Sequence, residues 1–329
     1  MANLSDVLVE ADDPAYLEDK IDPERALLNV GALDASSLHS KIRADYADFD
    51  TLPIDPDGKH FRMYRGRVTI WSGYPGQGKT TMLRQMVARL INQGRGVFVA
   101  SFEEDPGETV YETACSAWAN SDISVEQLQW FTDMHSERLR VWGGRLENTN
   151  NASVLAAIRV LAKRHGIRHA IIDSLMCLDV ANGEYEDQRQ FAKLLVATAR
   201  SSGVHIHLVA HPRKPMQGQQ RPDLNDVAGS ADLGRLVDNV LFVRRGPTEF
   251  QDTVAGTSAE VVVTKQRRGG FCGNMEAVFY RDRRQFDPLV GFPGPNVYMP
   301  PVAIEHCLPK ALQAVDDWEE PVPPPVWEL

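Results

Sequence analysis

The chain has 329 residues, 43% of them hydrophobic and 24% charged, with a net charge of −10. That length and apolar content suit a sizeable core in one large domain or two ordinary ones. No run of roughly 18 apolar residues occurs, which excludes a membrane-spanning helix of the usual kind.

The charge is unevenly spread. Residues 1–60 carry 14 acidic and 5 basic residues, and residues 305–329 carry 6 and 1. The stretch between them carries 25 acidic and 29 basic residues. An acidic head and tail thus flank a mildly basic core, a balance compatible with a phosphate-bearing polymer as partner. The polar, acidic start (Met1 to Asp13) argues against a signal peptide. Cys115, Cys177, Cys272 and Cys307 lack C-x-x-C spacing. They read as reduced thiols of a cytoplasmic protein, not as a zinc site or disulfide frame.

In chain order, residues 1–21 read as poorly ordered. Pro23 to Asp34 and Ser36 to Phe49 each suit a short helix. In the second, Leu38, Ile42, Tyr46 and Phe49 fall near one face, which fits a helix on its own core or an arm on a neighbouring subunit. Asp50 to His60, with Pro53, Pro56 and Gly58, reads as a linker closing a 1–60 arm. Strands are expected over Arg67–Trp71, Gly96–Phe102, Leu139–Trp142, His169–Asp173 and Val204–Ala210. Helices are expected over Thr80–Ile91, Pro106–Asn120, Val125–Met134, Ala152–His165 and Gln188–Ser202. The later strands, Val240–Arg244, Glu260–Thr264 and Ala277–Tyr280, lie close together. This pattern predicts an α/β fold over 61–290, a mainly parallel twisted sheet with helices on both faces and antiparallel strands at one edge. Residues 291–329 are proline-rich and acidic and read as a mobile tail.

Gly73-Tyr74-Pro75-Gly76-Gln77-Gly78-Lys79-Thr80 fits the phosphate-binding loop G-x-x-x-x-G-K-[ST] between a strand and a helix. Glycines let backbone N–H groups turn toward phosphates, and the helix N-terminus adds partial positive charge. Lys79 is expected to reach the β- and γ-phosphates of ATP or another NTP, and the Thr80 hydroxyl to bind Mg²⁺. Active groups of open α/β sheets sit at strand C-terminal ends. Asp173 there suits Mg²⁺ binding. Glu103, with Glu104 as competitor, suits orienting and deprotonating water. His211 suits a γ-phosphate sensor, whereas His205 and His207 read as structural. Lys265 and Arg267 project the same way from an extended segment, toward a phosphate outside their own subunit or toward solvent.

Six segments in this order resemble the RecA-like motor domain of DnaB-type replicative helicases, including the helicase halves of phage primase-helicases and Twinkle. They are Ser72 to Thr81, Ala100 to Glu103, Ile171 to Leu175, Leu208 to His211, Asp226 to Ser230 and Lys265 to Arg267. The resemblance implies a ring, usually hexameric, with nucleotide at each subunit interface and Thr81 completing the phosphate loop. Glu103 would be the catalytic glutamate, Asp173 the Walker B aspartate and His211 the γ-phosphate sensor. Arg267 would be an arginine finger given to the neighbour's nucleotide, with Lys265 beside it. Two loops, Val180 to Arg189 and Pro212 to Ser230, would face a channel holding single-stranded DNA. Arg213, Lys214, Gln219 and Arg221 would contact the backbone, with Gly229 at a point of close approach. Tyr185 is the one aromatic in these loops. No primase or collar domain is expected in residues 1–60, so either another chain, such as a primase or other replication protein, supplies that function, or the ring forms through the Ser36 to Phe49 arm alone; a lone motor of this kind suits a phage or mobile element. Two other functions fit the same core: a RecA- or RadA-like recombination ATPase, and a partner-controlled ATPase loader.

Overall fold

The structure is a computed structural model that describes residues 34–144, 149–174, 185–212, 226, 231–246, 256–289 and 296–307. Two short strands, β1 (Phe49–Thr51) and β2 (Arg62–Tyr64), form a ribbon of their own. The main sheet holds β3 (Val68–Ser72), β4 (Gly96–Ser101), β5 (Leu139–Val141), β6 (Ile167–Asp173), β7 (His205–Val209), β8 (Asn239–Arg245), β9 (Thr257–Gln266), β10 (Gly273–Tyr280) and β11 (Gln285–Pro288). Their order across the sheet is β11-β10-β9-β8-β3-β7-β6-β4-β5. From β8 through β5 the neighbours run parallel. From β8 outward through β11 they run antiparallel. The predicted α/β architecture, with its antiparallel edge, is the observed one.

Alternation along each strand divides the core between two faces. Val68, Ile70, Ile206 and Leu208 pack with α5 (Asn151–His165), α6 (Tyr185–Ser202) and α7 (Ala231–Leu236). Trp71, Ile171 and Val209 pack on the opposite face with α2 (Lys79–Asn92), α3 (Pro106–Trp118) and α4 (Val125–His135). The central strands are apolar on both faces because helices cover both. Among the described residues no helix is long and apolar enough to cross a membrane.

Three segments depart from expectation. Residues 50–60 are packed, not a free linker. β1 pairs antiparallel with β2, and Leu52 and Ile54 are buried. Asp55 closes the intervening turn by accepting from the backbone N–H groups of Lys59, His60 and Phe61. Within 291–329, residues 296–307 are also packed. Tyr298 and Met299 enter the core, and α8 (Pro301–Cys307) follows. Finally, α6 begins at Tyr185, so Tyr185 to Arg189 is helix and not loop. The expected helix over Ser36–Phe49 is α1 (Ala35–Ala47), N-capped by the Asp34 side chain. The segments 1–21 and 23–33 lie outside the described residues.

β1 is anchored by a buried polar row. Trp71 Nε1 donates to His207 Nδ1 at 3.1 Å, so the His207 proton sits on Nε2, 3.1 Å from His169 Nδ1. His169 in turn donates from Nε2 to Asp50 Oδ2 at 3.1 Å. Arg95 and Arg168 complete the Asp50 carboxylate at 2.7 and 3.2 Å. His205 donates from Nδ1 to the Tyr64 carbonyl, and its Nε2 accepts from Thr69. The row works only with neutral imidazoles, since each ring must accept as well as donate.

Its pH dependence follows. Burial holds His205 down to about 3 and His135 to about 4. His207 lies well below 6.5 for the same reason, and His169 is lowered by burial despite Asp50. Below 6.5 these four protonate in the unfolded chain first, so their contribution to stability is lost as pH falls. Burial pushes Asp173 and Asp287 up to about 6, and these oppose the trend between about 6 and 4. Near pH 5 the four histidines outweigh the two carboxylates, so the net effect is a loss of stability as pH falls. The urea midpoint is expected to drop steeply from pH 6.5 to 5. A flat profile over that range would contradict a neutral histidine row.

Candidate nucleotide site

The phosphate loop joins β3 to α2. Gly73 (φ 145°) passes so close to β8 that a Cβ there would lie 2.5 Å from the Val243 carbonyl oxygen. Gly78 (φ 88°) caps α2, and a Cβ there would lie 2.6 Å from the Phe286 ring. Gln77 fastens the loop from outside, its Oε1 accepting from the Arg245 backbone N–H at 2.5 Å.

Around the loop is a cavity of about 320 Å³. Its walls carry Pro75, Gly76, Gly78, Lys79, Thr80 and Thr81 from the loop side. Glu103 and His211 reach it from just beyond the ends of β4 and β7, and Asp173 and Arg245 from the last residues of β6 and β8. Lys79 donates to the carbonyls of Gly73 (2.7 Å) and Tyr74 (3.2 Å). Burial lowers its pKa, and the Asp173 and Glu103 carboxylates partly restore it. Thr80 Oγ1 donates to Asp173 Oδ2 at 3.1 Å. Asp173 is raised to about 6, first by burial and then by Glu103.

Neighbouring groups distinguish the two glutamates. Both Glu104 oxygens lie 2.5 Å from Arg84 Nη2, and Arg84 also reaches Glu112. Glu103 instead faces the cavity. Its Oε1 accepts from the Ser174 hydroxyl at 2.6 Å and lies 3.6 Å from His211 Nε2. Ser174 is fully buried, so its hydroxyl is a fixed point for that carboxylate.

Lys265 and Arg267 are not in this cavity. Lys265 donates to the carbonyls of Gly234, Arg235 and Val237 at 2.7–2.8 Å, which uses all three ammonium protons on the C-terminal end of α7. Burial, then Arg267, lowers Lys265 to about 8. Arg267 Nη2 donates to the Arg235 carbonyl at 2.8 Å. Since β9 is antiparallel to β8, with Gln266 opposite Asn239 and Ala259 opposite Arg245, this pair lies at the far end of β8. At roughly 3.3 Å per residue that is about 20 Å from the cavity end, beyond the reach of either side chain.

Two residues here have no role legible in the sequence. Arg245 lines the cavity, its guanidinium 4.6 Å from the centroid of the Phe279 ring, with a buried Nε that has no hydrogen-bond partner among the described residues. Ser174 follows Asp173 inside a matched segment, but only the fold shows which carboxylate it holds. Arg213, Lys214, Gln219, Arg221 and Gly229, with residues 180–184, lie outside the described residues.

The donor set fits Mg²⁺–nucleotide. The Lys79 ammonium lies against the loop backbone, and the Thr80 hydroxyl and the Asp173 carboxylate lie 3.1 Å apart on the same cavity wall. Mg²⁺ typically takes one or two protein oxygens and completes its shell with phosphate and water. Among the described residues no group of three or more His, Cys, Asp or Glu is placed to hold a metal ion.

Comparison with known proteins gives the same picture. A protein-family profile described as AAA domain matches residues 48–217, just over half of the chain. A "Probable plasmid replicative DNA helicase" of Chlamydia psittaci is 23% identical over 249 residues, covering 70% of this chain and 54% of the relative. "DNA repair protein RadA" of Brucella abortus (strain 2308) is 28% identical over 189 residues, covering 54% of this chain and 33% of that protein. The chain thus spans about half or less of these relatives. Among solved structures, one described as an ATPase domain superposes with a TM-score of 0.66 at 17% identity, covering 79% of this chain and 100% of that one. "The Structure Of A DnaB-Like Replicative Helicase And Its Interactions With Primase" gives 0.67 at 16% identity, covering 87% and 75%. The chain belongs to the AAA domain family, and its core has the RecA-like fold of DnaB-type helicase ATPase domains.

Proposed function

We propose that this chain is the ATP-driven motor of a DNA helicase acting in replication. It assembles into a ring, hexameric by analogy, and translocates on single-stranded DNA in the cytoplasm. The observation that carries the reading is the split of the active groups over one sheet. Lys79, Thr80, Glu103, Asp173 and His211 converge on one cavity, while Lys265 and Arg267 lie about 20 Å away at the opposite end of β8. A second copy can bring that end to the first copy's cavity. The interface is then heterologous, the kind that closes rings.

In this mechanism the loop N–H groups and Lys79 hold the phosphates. Bound Mg²⁺, held by Thr80 and Asp173, would neutralise charge on the β- and γ-phosphates. Glu103, steadied by Ser174, orients water and takes its proton. Arg267 of the adjacent copy leaves the Arg235 carbonyl and stabilises the charge on the transferred phosphoryl group, with Lys265 beside it. His211 stands between Glu103 and the segment beginning at Pro212, so loss of the γ-phosphate is passed to Arg213, Lys214, Gln219, Arg221 and Gly229 on DNA. Arg245, over Phe279, offers a planar cation to the nucleotide.

The arm supports assembly. In α1, Leu38, Ile42 and Tyr46 form an exposed stripe at 42, 41 and 50% accessibility, and no residue of the helix is buried. A second copy of this chain is its proposed seat. A separate primase or other replication protein is the proposed further partner, and the plasmid source of the Chlamydia relative agrees with a mobile-element setting.

The similarity to RadA favours one other reading, a recombination ATPase that forms filaments. The deciding experiment is strand displacement on a forked duplex with this chain alone. The proposed helicase unwinds the fork with ATP and not with a non-hydrolysable analogue. DNA-stimulated hydrolysis without unwinding would move the assignment to the recombination ATPase. Hydrolysis indifferent to DNA would leave only a partner-controlled loader.

A further inference from the structure

The turn that carries Arg267 is gripped by the N-terminal segment. On one side, the Arg268 guanidinium carbon lies 3.6 Å from the centroid of the Tyr46 ring in the last turn of α1. It also lies 4.5 Å from the centroid of the Tyr64 ring on β2. The two rings meet edge-on at 6.2 Å, and Arg268 Nη1 points to the Asp45 carbonyl at 3.4 Å. On the other side, Gln266 Nε2 donates to the His60 carbonyl at 3.3 Å. Its Oε1 accepts from the Phe271 N–H, and the Phe271 ring packs on His60 at 4.9 Å. Arg267 therefore sits between two residues that are both fastened to residues 45–64.

We infer that Arg268 is a positioning residue that couples the seating of α1 to the placement of Arg267. The inference rests on the in-trans role proposed above for Arg267. Its physical basis is that Tyr46 belongs to two surfaces at once. It ends the exposed Leu38–Ile42–Tyr46 stripe, and it is one face of the Arg268 seat. Cation–π attraction is weak when water reaches it and at least doubles when the pair is desolvated. Seating the stripe on a second copy covers Tyr46, so assembly tightens the hold on Arg268. Arg268 is one peptide from Arg267, and trans peptides keep adjacent Cα atoms about 3.8 Å apart. A slack seat therefore lets the neighbouring guanidinium wander. An unassembled chain thus leaves Arg267 free to settle on the Arg235 carbonyl, and an assembled one holds it ready.

The test uses the full chain and separates assembly from turnover. ATP hydrolysis is measured against protein concentration for Arg268→Ala, Tyr46→Leu and Tyr46→Phe, with assembled mass from sedimentation. Arg268→Ala and Tyr46→Leu are expected to lower kcat about tenfold at saturating protein with KM for ATP unchanged. Tyr46→Phe keeps the ring and is expected to keep the rate. Three results would overturn the inference. One is kcat within about twofold of wild type in both lesioned variants. Another is a loss confined to the concentration needed for assembly. The last is equal damage from Phe and Leu at position 46. Arg267→Ala serves as the control. If it is inactive while Arg268→Ala is normal, only the coupling fails. If it hydrolyses normally once assembled, the in-trans reading itself fails.

Discussion

Glu103→Gln is expected to abolish steady-state hydrolysis while leaving nucleotide binding intact. The substitution is close to isosteric, and the Ser174 hydroxyl at 2.6 Å can donate to an amide oxygen as it does to the carboxylate. The side chain should therefore stay in place and lose only its ability to take a proton. General-base catalysis contributes roughly 10²–10⁴ in rate, and a loss of that size in kcat is the prediction. Binding, followed with a fluorescent nucleotide, should change by no more than about twofold, because phosphate contacts come from the loop and Lys79. Glu104→Gln is the matched control. Its carboxylate is committed to Arg84, so its loss should reach stability before it reaches turnover. If Glu104→Gln is dead and Glu103→Gln is active, the two assignments must be exchanged.

Arg267→Ala is the second large effect. An arginine finger is worth roughly 10³–10⁵ in rate, and nearly all of it should vanish. Nucleotide affinity of the isolated chain should not change, since Arg267 is at the far end of β8 from its own cavity. Removing this side chain takes away one of two donors to the Arg235 carbonyl, which Lys265 still bonds. A modest change in stability is therefore expected, well short of unfolding. Normal turnover by the assembled variant would show that Arg267 only caps α7.

Much of the cavity was legible because it is built from local rules. The strand–loop–helix around Lys79 follows from glycine conformation and apolar periodicity, and a parallel sheet delivers its strand ends to one side. Glu103, Asp173 and His211 could thus be placed together before any contact was known. What escaped the sequence depends on contacts between distant residues. Asp50 looked like part of a linker because its partners, Arg95, Arg168 and His169, are far along the chain. His205 and His207 break an apolar strand pattern, and only the register of β7 against β3 and β6 shows that His205 meets Thr69 and that His207 joins Trp71 to His169. Proline-rich composition hid the packed segment around Tyr298, which is held by Gln85 and by the Ala117 carbonyl. Arg245 had no signal at all. It is an ordinary strand-end arginine until the fold brings β8 beside the phosphate loop.

The central claim is that hydrolysis is completed between copies. The most direct measurement mixes two inactive variants, Lys79→Ala and Arg267→Ala, in equal amounts with single-stranded DNA and ATP. Each retains what the other lacks. With random assembly, about a quarter of the heterologous interfaces pair an intact phosphate loop with an intact Arg267. ATP hydrolysis is expected to reappear on mixing, rising toward that fraction of the wild-type rate. A mixture as inactive as its components, with mixed assemblies confirmed by mass, would contradict it.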